Sequence, residues 1–171
     1  MSSHKVRLPV RSGLTRTRMC QPGRVASAGM SDEKKRSVEI ERTSVGAYEI
    51  RNVRGGSMSL GTGDDERFTP VELLLAALGG CSGIDVDLVV SRRAEPSRFV
   101  IRVRGDKIRD EAGSNRLENL EVEFDVEFPP GPEGDRARAV VPRLIQQSHD
   151  RLCTVTRTVE TGTPVSTVHK A

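Results

Sequence analysis

At 171 residues, with 35% hydrophobic and 30% charged side chains, the chain has the length and composition of one soluble domain with a thin core. Aromatic residues make up 3% and tryptophan is missing, which excludes the stacking platform of a single-strand nucleic-acid binder. The net charge of +3 belongs to residues 1–30, where Lys5, Arg7, Arg11, Arg16, Arg18 and Arg24 stand without an acid; with those six set aside the remainder carries −3, so the basic balance is no sign of a nucleic-acid surface.

Residues 1–30 have no hydrophobic period and read as a disordered basic leader. Three accounts of it stand side by side. Met30-Ser31-Asp32-Glu33 resembles an ordinary translation start, which would make the leader an artefact of start-site choice. A basic tail and an Arg-rich, acid-poor transit peptide are the others. The domain is expected over 31–171.

Val38–Thr43 and Gly46–Val53 read as a strand pair, and Gly55–Thr62 holds a third short strand between glycine-rich turns. Residues 63–68 are a polar loop. Thr69 then offers an N-cap, Pro70 suits the first helical position, and Glu72 completes the capping-box spacing. The helix should run to about Ala94, before Pro96, with an apolar stripe of Leu73, Ala77, Cys81, Ile84 and Leu88.

Two strands follow. Phe99, Ile101 and Val103 alternate with arginines in Arg98–Gly105, and Leu120, Val122, Phe124, Val126 and Phe128 alternate with acids in 118–128. The polar stretch 106–117 is expected to be their connecting loop. A second helix is expected from about Asp135 to Leu152, kinked or restarted at Pro142, with Cys153 at its end. A last strand is expected near Val165–Val168. The order β-β-β-α-β-β-α-β is that of an α+β fold.

The longest apolar run, Leu73–Leu78, is too short to cross a bilayer, and no secretory segment is visible. The expected setting is therefore cytoplasmic and reducing, with no membrane partner. Of the three cysteines, Cys20 lies in the leader, and Cys81 and Cys153 lie in the domain. The absence of a C-x-x-C pair and the scatter of His4, His149 and His169 argue against a metal, and no other cofactor is called for.

Cys81 ends the run TPVELLLAALGGC. Gly79 and Gly80 together cost a helix roughly 2 kcal/mol relative to two alanines, so their place needs a reason. One account makes Cys81 a small core hydrophobe. The other has the glycines clear space beside the thiol for a helix, a second subunit or a substrate. Cys153, just beyond another amphipathic helix, makes a two-cysteine redox cycle available. A reactive thiol needs a cation to lower its pKa, more so with Asp85 one turn away; Arg51, Arg54 and Arg67 precede the helix and are the candidates.

PVELLLAALGGCSGIDV (70–86) together with QQSHDRLCTVTRTV (146–159) resembles the OsmC/Ohr family, over about residues 37–170, and within it the YhfA-like branch. The resemblance implies an intertwined homodimer, with antiparallel sheets wrapped around two central helices. It implies close packing of the cysteine helices as the reason for Gly79 and Gly80. It also implies a thiol-dependent peroxidase acting on organic hydroperoxides. Cys81 would be the peroxidatic thiol and Cys153 the resolving thiol. A dithiol reductant, of lipoyl type or a low-molecular-weight thiol, would restore the pair. An apolar pocket lined from the leucine-rich helix would take the peroxide.

The resemblance departs at Val71. Active members carry there, ten residues before the peroxidatic cysteine, a Glu that pairs with an activating Arg. Glu72 is one residue later, about 100° around a helix, and its capping role accounts for it. The alternative function is a non-enzymatic OsmC-like dimer that binds a small ligand or senses redox state.

Overall fold

The structure is a computed structural model that describes residues 35–170. The leader, with Cys20, lies outside the described residues. The elements are β1 (Val38–Ser44), β2 (Ala47–Asn52), β3 (Ser57–Leu60), α1 (Pro70–Val90), β4 (Arg98–Arg109), β5 (Asn115–Glu127), α2 (Pro132–Gln147) and α3 (Thr154–Glu160). A π-turn, Ser148–Leu152, joins α2 to α3. The α+β expectation holds. The strands form two antiparallel sheets, β1-β2-β3 and β4-β5.

α1 starts where the sequence places it. Thr69 Oγ1 accepts from the Glu72 N–H at 3.2 Å, and Glu72 Oε2 accepts from the Thr69 N–H at 2.7 Å. The reciprocal cap satisfies two donors that the first turn would otherwise leave open. The helix ends at Val90 rather than near Ala94. The Arg93 and Ala94 N–H groups both turn back onto the Val90 carbonyl, and Ser97 then pairs with Glu127 to open the hairpin.

The buried side of α1 differs from the expected stripe. Leu78, Gly79, Ser82, Gly83, Val86 and Val90 are buried, whereas Ile84 and Leu88 are 62% and 57% exposed. The helix is apolar on both sides, so spacing alone did not select the inner one. Two glycines decide it. A Cβ on Gly79 would stand 2.6 Å from Val103 Cγ2, and one on Gly83 would strike Ile101 Cδ1. β4 lies directly on that glycine face. Gly80, by contrast, has nothing within 4 Å, so packing within the chain explains Gly79 and not Gly80. The length expectation is also corrected. Among the described residues α1 is one helix long and apolar enough to cross a membrane, with a third of its apolar window buried. Glycine, serine and cysteine interrupt a run of large apolar residues without making a helix polar.

The core gathers Val86 and Val90 of α1, Phe128 and Ala137, with Phe99, Phe124, Val126, Val140, Val141 and Leu144 packed around them. Phe99 and Phe124 meet edge to face at 6.3 Å. The outer face of the hairpin is a ladder of ions: Arg98–Asp125 at 2.9 Å, Arg104–Glu121 at 2.7 Å, and Arg102 shared between Glu123 and Asp125 at 3.3 Å.

The stretch 106–117 is mostly strand. β4 and β5 pair out to Arg109 and Asn115, and the turn is only Asp110–Ser114, closed by Asp110 Oδ1 accepting from the Ser114 N–H at 2.8 Å. A bulge at Gly105, opposite Asn119 and Leu120, shifts the register between the two halves. That shift hides the alternation from a period-two reading.

α2 begins at Pro132, three residues earlier than expected, and passes Pro142 unbroken to Gln147. The expected strand at Val165–Val168 is absent, and both valines are exposed, at 92% and 80%. That segment has β-branched residues but pairs with no strand among the described residues. The β-branched TVTRTVE is instead α3. Its threonine hydroxyls bond back to the preceding turn, Thr158 Oγ1 to the Thr154 carbonyl at 2.8 Å.

Candidate functional site

Cys81 lies at mid-length on α1 and is partly buried; Cys153 is fully buried and is the N-cap of α3. The π-turn delivers Cys153 to α1. An i→i+5 turn inserts one residue into a helical path, and such turns recur at functional sites. Ser148, at its start, is completely buried and donates its hydroxyl to Asp85 Oδ2 at 2.8 Å. Asp85, one turn beyond Cys81, is thus directed to the π-turn.

Both thiols are free, and each is among the groups that act on the other. They differ in their surroundings. Burial is the largest influence on Cys81 and pushes its thiol up; the Cys153 sulfur adds to this, while the N–H groups of Val155 and Thr154 act the other way. Burial opposes charge on Cys153 too, but is outweighed by hydrogen bonds from the hydroxyls of Ser82 and Thr156, the Thr156 N–H and Cys81, so Cys153 lies below an ordinary thiol. The Thr156 contacts are 3.1 Å from Oγ1 and 3.4 Å from the N–H.

The other residues predicted from the sequence lie away from the sulfurs. Arg51 is bonded to Glu41 at 2.7 Å on the β1-β2 sheet. Arg67 grips Asp65 within the loop before α1. Arg54 stands exposed in the β2-β3 turn. Glu72 belongs to the Thr69 cap. Within one chain, none of these is among the groups that act on the Cys81 thiol.

Ser82, Thr156, Asp85 and Ser148 are the site residues that the sequence did not single out for these roles. The hydroxyl-rich run after Cys153 was the visible signal for Thr156. No spacing rule points from Ser148 to Asp85.

A cavity of about 330 Å³ lies between α1, β5, the end of α2 and α3; it is lined by Ser82 and Thr156, and neither cysteine is among its lining residues. Leu78, Leu120, Val122, Ile145 and Val159 make it largely apolar. His149 and Glu160, 3.5 Å apart, sit among its remaining walls. Among the described residues no group of His, Cys, Asp and Glu could hold a metal ion.

The family model described as OsmC-like protein matches residues 63–168. An uncharacterized protein of Mycobacterium tuberculosis is 34% identical over 129 residues, covering 74% of this chain and 90% of that protein. Among solved structures, a hypothetical protein from Aquifex aeolicus superposes with a TM-score of 0.60 at 22% identity, over 76% of this chain and 90% of its own. An OsmC-like protein from Mycoplasma pneumoniae gives 0.57 at 14% identity, over 75% and 89%. The structural matches speak for the fold; the matched family model, which spans both cysteine blocks, speaks for the lineage. The chain belongs to the OsmC/Ohr family of OsmC-like proteins.

Proposed function

We propose that the chain is a thiol-dependent peroxidase that reduces organic hydroperoxides through Cys81 and Cys153. The observation that carries this reading is that the two thiols, from positions 72 residues apart in the sequence, stand near enough to act on each other's charge. Free thiols brought together in this way form a dithiol that can cycle to a disulfide.

In the cycle, the Cys81 sulfur attacks the distal oxygen of the hydroperoxide. The O–O bond breaks, an alcohol leaves and Cys81 becomes a sulfenic acid. The Cys153 sulfur then attacks the Cys81 sulfur, the S–O bond breaks and water departs. A lipoyl-type dithiol or low-molecular-weight thiol returns two electrons and two protons. The cycle needs a reducing, cytoplasmic-type setting. The apolar cavity favours an alkyl hydroperoxide over hydrogen peroxide.

A second copy of the chain completes the molecule in this reading. Val38 and Ile40 of β1 are 60% and 54% exposed, and Ile40, Ile50 and Met58 form one cross-strand row. The β1-β2-β3 sheet makes its main contacts within itself. Gly80, Ile84 and Leu88 leave the outer side of α1 equally open. Two apolar faces of this kind favour a homodimer.

The test is mass spectrometry on the fully reduced chain. One equivalent of cumene hydroperoxide should remove two hydrogens within seconds, faster than hydrogen peroxide does, and Cys81→Ser should abolish the loss. Slow oxidation at equal rates by both peroxides would sink the reading. The cavity would then favour the alternative, a small apolar ligand bound without turnover.

A further inference from the structure

α3 is a helix that its own sequence supports poorly. Five of its seven residues, Thr154, Val155, Thr156, Thr158 and Val159, are β-branched, and none of the seven is fully buried. It is held at its ends. At its head the Cys153 sulfur, wholly buried, accepts from the Thr156 hydroxyl at 3.1 Å and from the Thr156 N–H at 3.4 Å. At its tail Glu160 faces His149 of the π-turn at 3.5 Å.

The same helix is one wall of the 330 Å³ cavity. Thr156, Val159 and Glu160 line it, with Leu120 and Val122 of β5 and Leu78 of α1 among the other walls. A space of this size, with mostly apolar walls and a few polar groups, suits a small molecule. Thr156 belongs to both arrangements: it lines the cavity and it donates to the sulfur. A hydroxyl that donates keeps two acceptor positions, and a ligand hydroxyl is the group that matches them. Glu121 and Glu160 in the walls disfavour an anionic head on that ligand.

We propose that the cavity is a binding site for a small uncharged molecule with an aliphatic body and one hydroxyl, and that this ligand and a group attached to the Cys153 sulfur exclude each other through Thr156 and α3. The bound ligand donates its hydroxyl to Thr156 Oγ1. The chain of hydrogen bonds runs on to the Cys153 sulfur, and each bond strengthens the next. The ligand body packs on Val159 and holds α3 in place. Because the sulfur is fully buried, a reagent reaches it only when α3 opens. A group attached to the sulfur removes the cap, releases the first turn of α3 and disturbs the cavity wall. The coupling is reciprocal: a ligand that closes α3 over the thiol binds worse once the thiol is modified. None of this requires turnover of a hydroperoxide.

The experiment is alkylation of the reduced full chain with N-ethylmaleimide, followed at Cys153 by peptide mass mapping, with and without 1-octanol. The rate at Cys153 should fall saturably, by about elevenfold at ten times the octanol concentration that halves it. In calorimetry, Thr156→Val should weaken octanol binding by roughly fivefold, Thr156→Ser should restore it, and octanoate should bind more weakly than octanol. Val122→Phe and Val159→Phe fill the cavity from two different walls, and each should abolish the protection. In a Cys81→Ser background, the chain alkylated at Cys153 beforehand should bind octanol roughly fivefold or more weakly than the same chain reduced. Octanol that does not bind, an unchanged Cys153 rate at saturating octanol, protection that survives both phenylalanine variants, or equal affinity of the modified and reduced chains overturns the proposal. A chain inert to cumene hydroperoxide that octanol still protects overturns the peroxidase reading and upholds the linked site.

Discussion

The buried Ser148 hydroxyl donates to Asp85 Oδ2 at 2.8 Å, tying the start of the π-turn to α1 one turn beyond Cys81. Removing the acceptor strands a buried hydroxyl. Asp85→Ala should therefore destabilise the fold by about 1–3 kcal/mol. Ser148→Ala should cost less, because Asp85 is only partly buried and water can serve it. Urea unfolding of both single variants and the double variant measures the coupling, expected at about 0.5–3 kcal/mol. Additive effects would remove the pair from the account of how Cys153 is placed.

Gly79 and Gly83 form the seat of β4 on α1. Alanine at either position gains about 1 kcal/mol of helix propensity. It also drives a methyl group into Val103 or Ile101, an overpacking that costs about 1–3 kcal/mol. Both variants should be net destabilised in urea unfolding. Gly79→Ala should be the worse of the two, since its Cβ meets both Val103 and Ile101, whereas Gly83 meets only the mobile end of Ile101. A more stable Gly79→Ala would mean that the hairpin can move off the helix freely.

The open side of α1 tests the second copy. Ile84 and Leu88 are exposed, and Gly80 beside them leaves a shallow floor. Ile84→Glu with Leu88→Glu should convert a dimer to monomer in light scattering after size exclusion, and should leave the single-chain core intact. A dimer of unchanged mass would exclude this face as the contact.

The loop before α1 carries the largest carboxylate shift. The Arg67 guanidinium hydrogen-bonds Asp65, the Arg67 N–H adds to it, and the carboxyl falls from an ordinary 3.8 to about 2. A depressed carboxyl contributes stability that is fully present above its unfolded value and is lost as pH falls through its folded value. The contribution should therefore fade between about pH 4 and about pH 2. A carboxyl NMR titration should place Asp65 near 2, and Arg67→Gln should return it to the ordinary range. An Asp65 midpoint that Arg67→Gln leaves unmoved would disprove the contact.

Local chemistry was legible wherever it acts within a few residues. Thr69, Pro70 and Glu72 marked the start of α1, because a cap is a contact across three positions. The alternation in 118–128 marked β5, because one of its faces meets the core and the other meets water. Reading failed where a distant neighbour decides. A bulge at Gly105 disguised the hairpin, and Val165–Val168 had the propensity of a strand yet pairs with none among the described residues. Thr154–Glu160 had strand propensity too, yet it folds as a helix headed by Cys153.

The site divides in the same way. The sequence by itself determined that one cysteine lies within a helix behind a glycine pair, that another lies just beyond an amphipathic helix, and that the order of elements is α+β. Those are properties of composition and spacing, and they suffice for lineage. Only the tertiary structure decided which side of α1 is inner, because both sides are apolar and the methyl groups of Ile101 and Val103 choose between them. It alone set Cys153 against Cys81, through a π-turn held by a bond that spans 63 positions. It also distributed charge between the two sulfurs. Burial and hydrogen bonds from Ser82 and Thr156 are relations in space, and a thiol's acidity follows those relations rather than its place in the chain.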